Sequence, residues 1–318
     1  MRVKSSILGA ALLAALPLVA TTASAAAITN FTTVFGTDFT TAGTGGLRDG
    51  TGTLTVGGVT GPVERSYLYW HGPTNSADAN ALANIGVNGN PLAGTNIGFS
   101  DDNFWGFRNS QAYRADATSL INGNGAYTLT GFNVPPITTG NGAGAAVFFN
   151  DGNAANNRDV VIFNGNDSNF ASDFDAAGWD FTLSGINYTG GQVFLRMFVS
   201  DGQNFGANDD GTLRINGNAL DVGGLFQGDT LPGESPTGNG NLFDIVSFDI
   251  SSFLVIGNNS LRVTLDAGFS DALSAVAAFI DLPAGAAPPI RMPEPAPVAL
   301  LALALLAGVA TRRARTPK

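Results

Sequence analysis

Val87-Asn88-Gly89-Asn90-Pro91-Leu92 and Ile215-Asn216-Gly217-Asn218-Ala219-Leu220 carry one pattern twice in the same chain. Asn-Gly supplies the positive φ angles of a two-residue hairpin turn, and the aliphatics on either side fit the paired strands. Upstream of each copy stands an aromatic-rich run, Tyr67–Trp70 in the first and Phe194–Val199 in the second. Downstream of each comes Asp-x-(Ser/Thr)-Ser-x-aliphatic. The first is Asp116-Ala117-Thr118-Ser119-Leu120-Ile121 and the second Asp249-Ile250-Ser251-Ser252-Phe253-Leu254. A Gly/Asn turn and another strand follow, and an apolar run closes each copy, Ala145–Phe149 and Ala275–Ile280. Four features in the same order mark an internal duplication.

Each signature predicts a piece of structure. Asp116 and Asp249 are expected to cap one-turn helices by accepting bonds from free N–H groups. Leu120, Ile121, Phe253 and Leu254 would then plug the end of a sandwich. Between residues 26 and 283 short apolar runs alternate with Gly, Asn, Asp and Pro, and no long amphipathic helix is visible. That is the pattern of an all-β sandwich. The expected fold is all-β, with two tandem β-sandwich, jelly-roll-like domains over 26–170 and 171–283. The boundary is expected near 165–177, where Gly165-Asn166-Asp167-Ser168-Asn169 reads as a polar linker.

Composition narrows the function. The chain has 318 residues, with 42 Gly, 29 Asn and 22 Asp, and only 13% are charged. Hydrophobic residues reach 44%, with 22 Phe, which excludes an acidic disordered tail. Between residues 26 and 290 there is no Lys, and eight Arg face 22 Asp and two Glu. A nucleic-acid partner is excluded, because binding phosphates takes clustered cations. Cysteine is absent, which removes disulfides, thiolate nucleophiles and zinc–thiolate sites.

Both ends read as instructions. Arg2 and Lys4, the apolar Ile7–Ala20 and the small residues Ala23-Ser24-Ala25 form a secretory signal over 1–25, a signal-peptidase substrate in helical form. At the other end Pro293-Glu294-Pro295 precedes the apolar Val298–Ala310, which is followed by Arg312, Arg313, Arg315 and Lys318. The apolar run, expected to be a hydrophobic helix in 298–318, is a stop-transfer segment whose basic tail stays cytoplasmic. It is short for a permanent span. The prolines of the 284–297 linker keep the chain extended, as a protease site requires.

This tripartite end resembles the PEP-CTERM sorting signal of Gram-negative bacteria that make exopolysaccharide. The resemblance implies recognition by an exosortase, removal of the tail, and delivery to the cell surface or extracellular matrix, with membrane contact only through the tail before processing. The body resembles the jelly-roll domains of carbohydrate-binding and surface proteins. The order Tyr67-Leu68-Tyr69-Trp70, Val87-Asn88-Gly89, Tyr113-Arg114-Ala115-Asp116-Ala117-Thr118 and Gly123-Asn124-Gly125-Ala126-Tyr127-Thr128 is similar to exported bacterial surface-protein domains of unassigned function. That likeness implies fold and exposure.

Catalytic groups are hard to find. The sole histidine, His71, has no Cys to activate and no second His to share a metal. Asp49-Gly50-Thr51-Gly52 has the wrong order for an aspartic-protease loop, and the second copy lacks a counterpart. A glycosidase needs two carboxylates with separate roles, and the Asp residues here mostly sit beside Gly or Asn. Calcium is the candidate cofactor, since hard cations want several carboxylate and amide oxygens. The candidate ligands are Asp201, Asn204, Asn208, Asp209 and Asp210; the loop Asp151-Gly152-Asn153 with Asn156-Asn157-Arg158-Asp159 is a second candidate, which carries a competing Arg. Trp105 and Phe107 are the candidate stacking platform for a sugar, in a loop that would otherwise fold down as a lid. The expectation is a non-catalytic, exported surface or matrix protein. The alternative is a carbohydrate-binding module that engages exopolysaccharide, and a secreted hydrolase is a third reading.

Overall fold

The computed structural model describes residues 28–100, 106–134, 138–174, 176–204, 210–222, 224–228, 230–231, 240–267 and 271–287. These residues are all-β. The first stretch of chain gives β1 (Thr29–Thr44), β2 (Thr51–Val56), β3 (Val63–Thr74), β4 (Asn84–Val87), β5 (Asn90–Ala93) and β6 (Thr95–Ser100). Next come β7 (Asn109–Asp116), β8 (Gly125–Thr130), β9 (Asn133–Val134), β10 (Thr138–Thr139) and β11 (Gly142–Phe149). The second stretch gives β12 (Arg158–Ser168), β13 (Asp180–Tyr188), β14 (Phe194–Ser200), β15 (Gly211–Ile215) and β16 (Asn218–Val222). It ends with β17 (Phe243–Asp249), β18 (Gly257–Ala267) and β19 (Ser274–Pro283). The helical elements among the described residues are two 3-10 turns, Leu47–Asp49 and Ser251–Phe253. The two terminal helices expected from sequence lie outside the described residues.

All pairing is antiparallel, in one 11-stranded sheet and two four-stranded ones. The strand order repeats. In the large sheet β1-β11-β3-β7 is followed, across the β1–β12 pair, by β12-β19-β14-β17; the small sheets run β2-β8-β4-β5 and β13-β18-β15-β16. Numbering eight strands within each half, both give first-eighth-third-sixth over second-seventh-fourth-fifth. β6, β9 and β10 are additions to the first half.

The duplicated motifs do the same work in each half. Asn88 and Asn216 hold φ of 49° and 51°, followed by Gly89 at 77° and Gly217 at 81°. Each Asn donates its N–H to the next strand and accepts in return. Asn88 N–H bonds Thr128 O at 2.8 Å while its Oδ1 takes Thr128 N–H at 2.8 Å. Asn216 does so with Arg262, at 2.9 Å both ways. The aspartates are not the expected helix caps: a turn and no helix follows Asp116, and Asp249 stands one residue before Ile250, the N-cap of the Ser251–Phe253 turn. Asp116 accepts from Thr118 N–H and Oγ1, and Asp249 from Ser251 N–H and Oγ. The same hydroxyls then take the N–H of Ser66 and of Val193. Ile121 and Leu254 are buried where plugs were expected.

Three cores result. Leu54, Leu68, Trp70, Leu129, Ala145 and Val147 form one core between the large sheet and β2-β8-β4-β5, and Phe181, Leu195, Met197, Leu213, Val263 and Ile280 form another between the large sheet and β13-β18-β15-β16. The third lies on the other face of the large sheet, between the halves, and is aromatic. Tyr69 meets Phe198 at 5.8 Å and Phe279 at 6.0 Å, both edge-on, and Phe39 stacks on Phe148 at 5.0 Å. Gly142 and Gly144 make room for it: a Cβ on Gly144 would stand 2.8 Å from the Phe198 ring, and one on Gly142 would collide with Phe243.

One expectation is corrected here. Gly165-Asn166-Asp167-Ser168 is no linker but the buried end of β12. It is polar because it faces polar groups of the first half across the seam: Asn166 Nδ2 donates to Ser110 O at 3.1 Å, and Ser168 N–H to Ser100 Oγ at 3.0 Å. The inner face of β12 places Val161 and Phe163 in the second core.

Replacing Asn88 by Ala removes the side-chain acceptor that makes Asn tolerant of this positive φ, at a cost of about 1–2 kcal/mol. Asn216→Ala is expected to cost a similar amount. Urea unfolding followed by tryptophan fluorescence and by circular dichroism is expected to show one shared transition for both variants, since β1 bonds both halves.

Candidate functional site

β1 is irregular between Val34 and Thr37, where its register on β12 slips. Gly36 adopts φ 58° there, and its N–H bonds Asp159 Oδ1 at 2.9 Å. The bulge turns Phe35 outward, and 42% of it stays exposed. Asp159 itself is buried on β12. Its Oδ2 accepts Gly285 N–H at 2.7 Å and Ala287 N–H at 3.2 Å. One buried carboxylate therefore satisfies three backbone donors, which is what makes its burial tolerable. It also ties the bulge to the segment after β19. Asn157 adds to the tie, its Nδ2 donating to Gly36 O at 2.7 Å. Between these parts lies an open, largely apolar groove of about 380 Å³, lined by Phe35, Gly36, Asp159, Ala284, Gly285 and Ala287.

The residues singled out from sequence fall elsewhere. Trp105 lies outside the described residues, and Phe107 is half-buried beside Arg108, whose N–H bonds Asn75 Oδ1 at 3.1 Å. Of the calcium candidates, Asn208 and Asp209 lie outside the described residues and Asn204 is exposed. Asp201 and Asp210 are buried. Asp201 faces the Arg48 guanidinium at 3.7 Å, and Asp210 Oδ2 takes Phe226 N–H at 2.8 Å. Both carboxylates thus serve internal donors. The second loop closes on itself, Asp151 accepting from Asn153 N–H at 2.7 Å and Asn156 Nδ2 at 2.9 Å. Among the described residues no three His, Asp or Glu side chains gather as metal ligands. Ala23, Ala25, Pro293, Glu294, Pro295, Arg312, Arg313 and Arg315 all lie outside the described residues. No helix among the described residues is long and apolar enough to cross a membrane.

His71 is buried, and burial pushes its pKa down to about 3. Neither ring nitrogen has a hydrogen-bond partner among the described residues. It pairs across β3 with Ala112 and Gly142, inside the sheet, where no substrate can reach it. Neighbouring Tyr69 is likewise sealed, its pKa raised by burial. Asp116 and Asp249 ionise readily: burial raises Asp116, but the Thr118 bonds outweigh it, and the Ser251 hydroxyl leads in lowering Asp249. The two aspartates shape the turns that follow β7 and β17. The sequence offers Asp159 only as an oxygen of the second candidate calcium loop, and a Phe-Gly pair inside a strand does not announce a groove; in the fold the Asp159 carboxylate takes three backbone N–H groups.

No family model and no curated protein matches the chain. Among solved structures it is similar to that titled BuGH86 wild type in complex with neoagarooctaose. That likeness has 13% identity, a TM-score of 0.23, and coverage of 81% of this chain and 34% of the other. A single-residue variant of the same protein with the same ligand gives 12% identity and a TM-score of 0.22. The chain thus spans about a third of the length of these structures. At such scores the likeness carries no argument about fold or function.

The unfolded His71 imidazole takes a proton near its ordinary 6.5, whereas the folded one resists until about pH 3. The unfolded state therefore binds more protons in that window, so stability is whole above pH 6.5 and declines as the pH falls toward 3. The duplicate position is Phe198. In His71→Phe the decline between pH 6.5 and 4 is expected to be shallower than in the parent, measured by urea midpoints across that range.

Proposed function

We propose that the chain is a non-catalytic exported protein of the cell surface or extracellular matrix. It would be made with a signal peptide, held briefly by its C-terminal tail, and released or transferred by an exosortase that cuts near Pro293–Pro295. The observation that carries this reading is the succession Pro293-Glu294-Pro295, Val298–Ala310 and the Arg312, Arg313, Arg315 cluster at one end of a chain that opens with a signal sequence.

The body supports it in two ways. The strand order of each half, first-eighth-third-sixth over second-seventh-fourth-fifth, is that of a jelly roll. We read the body as two such modules, with the boundary in the 150–157 loop, where the order restarts at β12, and not near 165–177. Its charged groups also serve the fold. Asp159 holds three N–H groups, Asp244 holds Gly228 N–H at 2.9 Å and Thr230 Oγ1 at 2.8 Å, and Arg158 spans Asp281 and Gln192 O. A scaffold that stands in a polymer matrix needs a stable surface more than a reactive one.

Intact mass spectrometry of the protein from its native producer, fractionated into membrane, surface and medium, tests the reading. The expected species begins near Ala26 and ends near Pro295, in the surface or medium fraction. A species that keeps Val298–Lys318 in the membrane fraction would replace the sorted protein with an anchored one.

A further inference from the structure

The groove beside Asp159 has one feature that points to its occupant. Its wall is built from Ala284, Gly285 and Ala287, and the chain continues from that wall into Pro288-Pro289-Ile290. We propose that the groove is the seat of the chain's own linker, with the side chain of Ile290 packed against Phe35.

Three observations carry this. First, the exposed lining of the groove is almost wholly apolar, and the carboxylate of Asp159 is turned to the N–H groups of Gly36, Gly285 and Ala287. What remains for a ligand is apolar surface, which suits an aliphatic side chain and not an ion. Second, reach is right. Ile290 stands three residues past Ala287, so it lies within about 10 Å of the wall even in a fully extended chain. Pro288 and Pro289 fix φ and stiffen that path, and neither has an N–H that the groove would need to satisfy. Third, Ile290 is the first large aliphatic after the wall, and charged Arg291 follows it. The Phe35 ring is among the few large apolar side chains left exposed among the described residues. A seated Ile290 covers it.

The seat would begin the free linker at Arg291. Pro293-Glu294-Pro295 would then stand two residues from the body, so the folded domain itself limits how a processing enzyme approaches. The seat does not depend on the sorting reading, and the test below uses no processing enzyme, so either can fail alone.

The chain has no cysteine, which gives a background-free crosslink. The full chain, purified in detergent, would carry Phe35→Cys with Ile290→Cys, and a control would carry Ile256→Cys with Ile290→Cys. Ile256 is exposed beside Gly190, next to Gly191 and Pro283 at the same end of the body, so the linker reaches it without the groove. Under mild oxidation the first pair is expected to close within one chain about tenfold faster than the control, as a seated segment raises local concentration. Equal rates would overturn the proposal, and so would a disulfide joining two chains, which would make the groove a contact between copies. Because the Cys variants remove the packing they report on, hydrogen exchange is read on parent side chains. The amides of residues 290–292 are expected to exchange about tenfold faster in Ile290→Asp than in the parent or Ile290→Leu, the loss of a packed seat freeing them. A parent linker that exchanges as fast as Ile290→Asp overturns the proposal.

Discussion

The structure depends on the double pairing of β1. This 16-residue strand bonds β12 over Thr29–Thr37 and β11 over Asp38–Thr44. Neither half contains its whole ladder. Without that strand β11 and β12 would be sheet edges to protect, and an exposed edge is an invitation to aggregate. With it, the two first strands become neighbours in one sheet, and the outer face of each half becomes an inner one. The glycines of β11 and the ring of Phe198 belong to different halves and fit together only because β1 fixes their distance.

The unusual composition follows from the same constraint. Few charges are needed where backbone pairs backbone, and those that remain act at joints. Arg114, from the first half, reaches Asn164 on β12 and lies over Phe31; Arg196, from the second, reaches Thr41 on β1 and lies over Phe39. Each crosses the seam with its stem among aromatics and its head on a neutral oxygen, and burial lowers the pKa of both. An arginine can do this, since its charge persists and its plane stacks on a ring. A lysine would pay more for the same burial, consistent with a body that contains none.

Much of this fold was legible in the sequence because it was written twice. Asn-Gly between aliphatics has one common meaning, and its recurrence at Asn88 and Asn216 with the Asp-Ser motifs behind it identified matching strands. What misled was polarity near residue 166. Asn166 and Ser168 look like linker residues, yet they are buried, because their partners Ser110 and Ser100 come from 56 and 68 residues earlier. Local composition carries no information about such distant partners. The groove was illegible for a related reason: Gly36, Asp159 and Ala287 become neighbours only after β1, β12 and the end of β19 have come together. In the first calcium-candidate loop, Asp201 and Asp210 meet internal donors, Arg48 and Phe226 N–H, that the sequence could not place beside them.

The partners of β1 also set an order of events. A chain emerges amino end first, and β1 precedes the other described strands. Its last seven residues must wait for β11, more than a hundred positions later, and its earlier residues for β12. The bulge in β1 waits longest: the same carboxylate that holds Gly36 also holds Gly285 and Ala287. Contacts between such distant positions close slowly. β1 therefore remains a free edge until those partners have been made. Completion of the large sheet is tied to the arrival of β12, and of the bulge to the residues that follow β19.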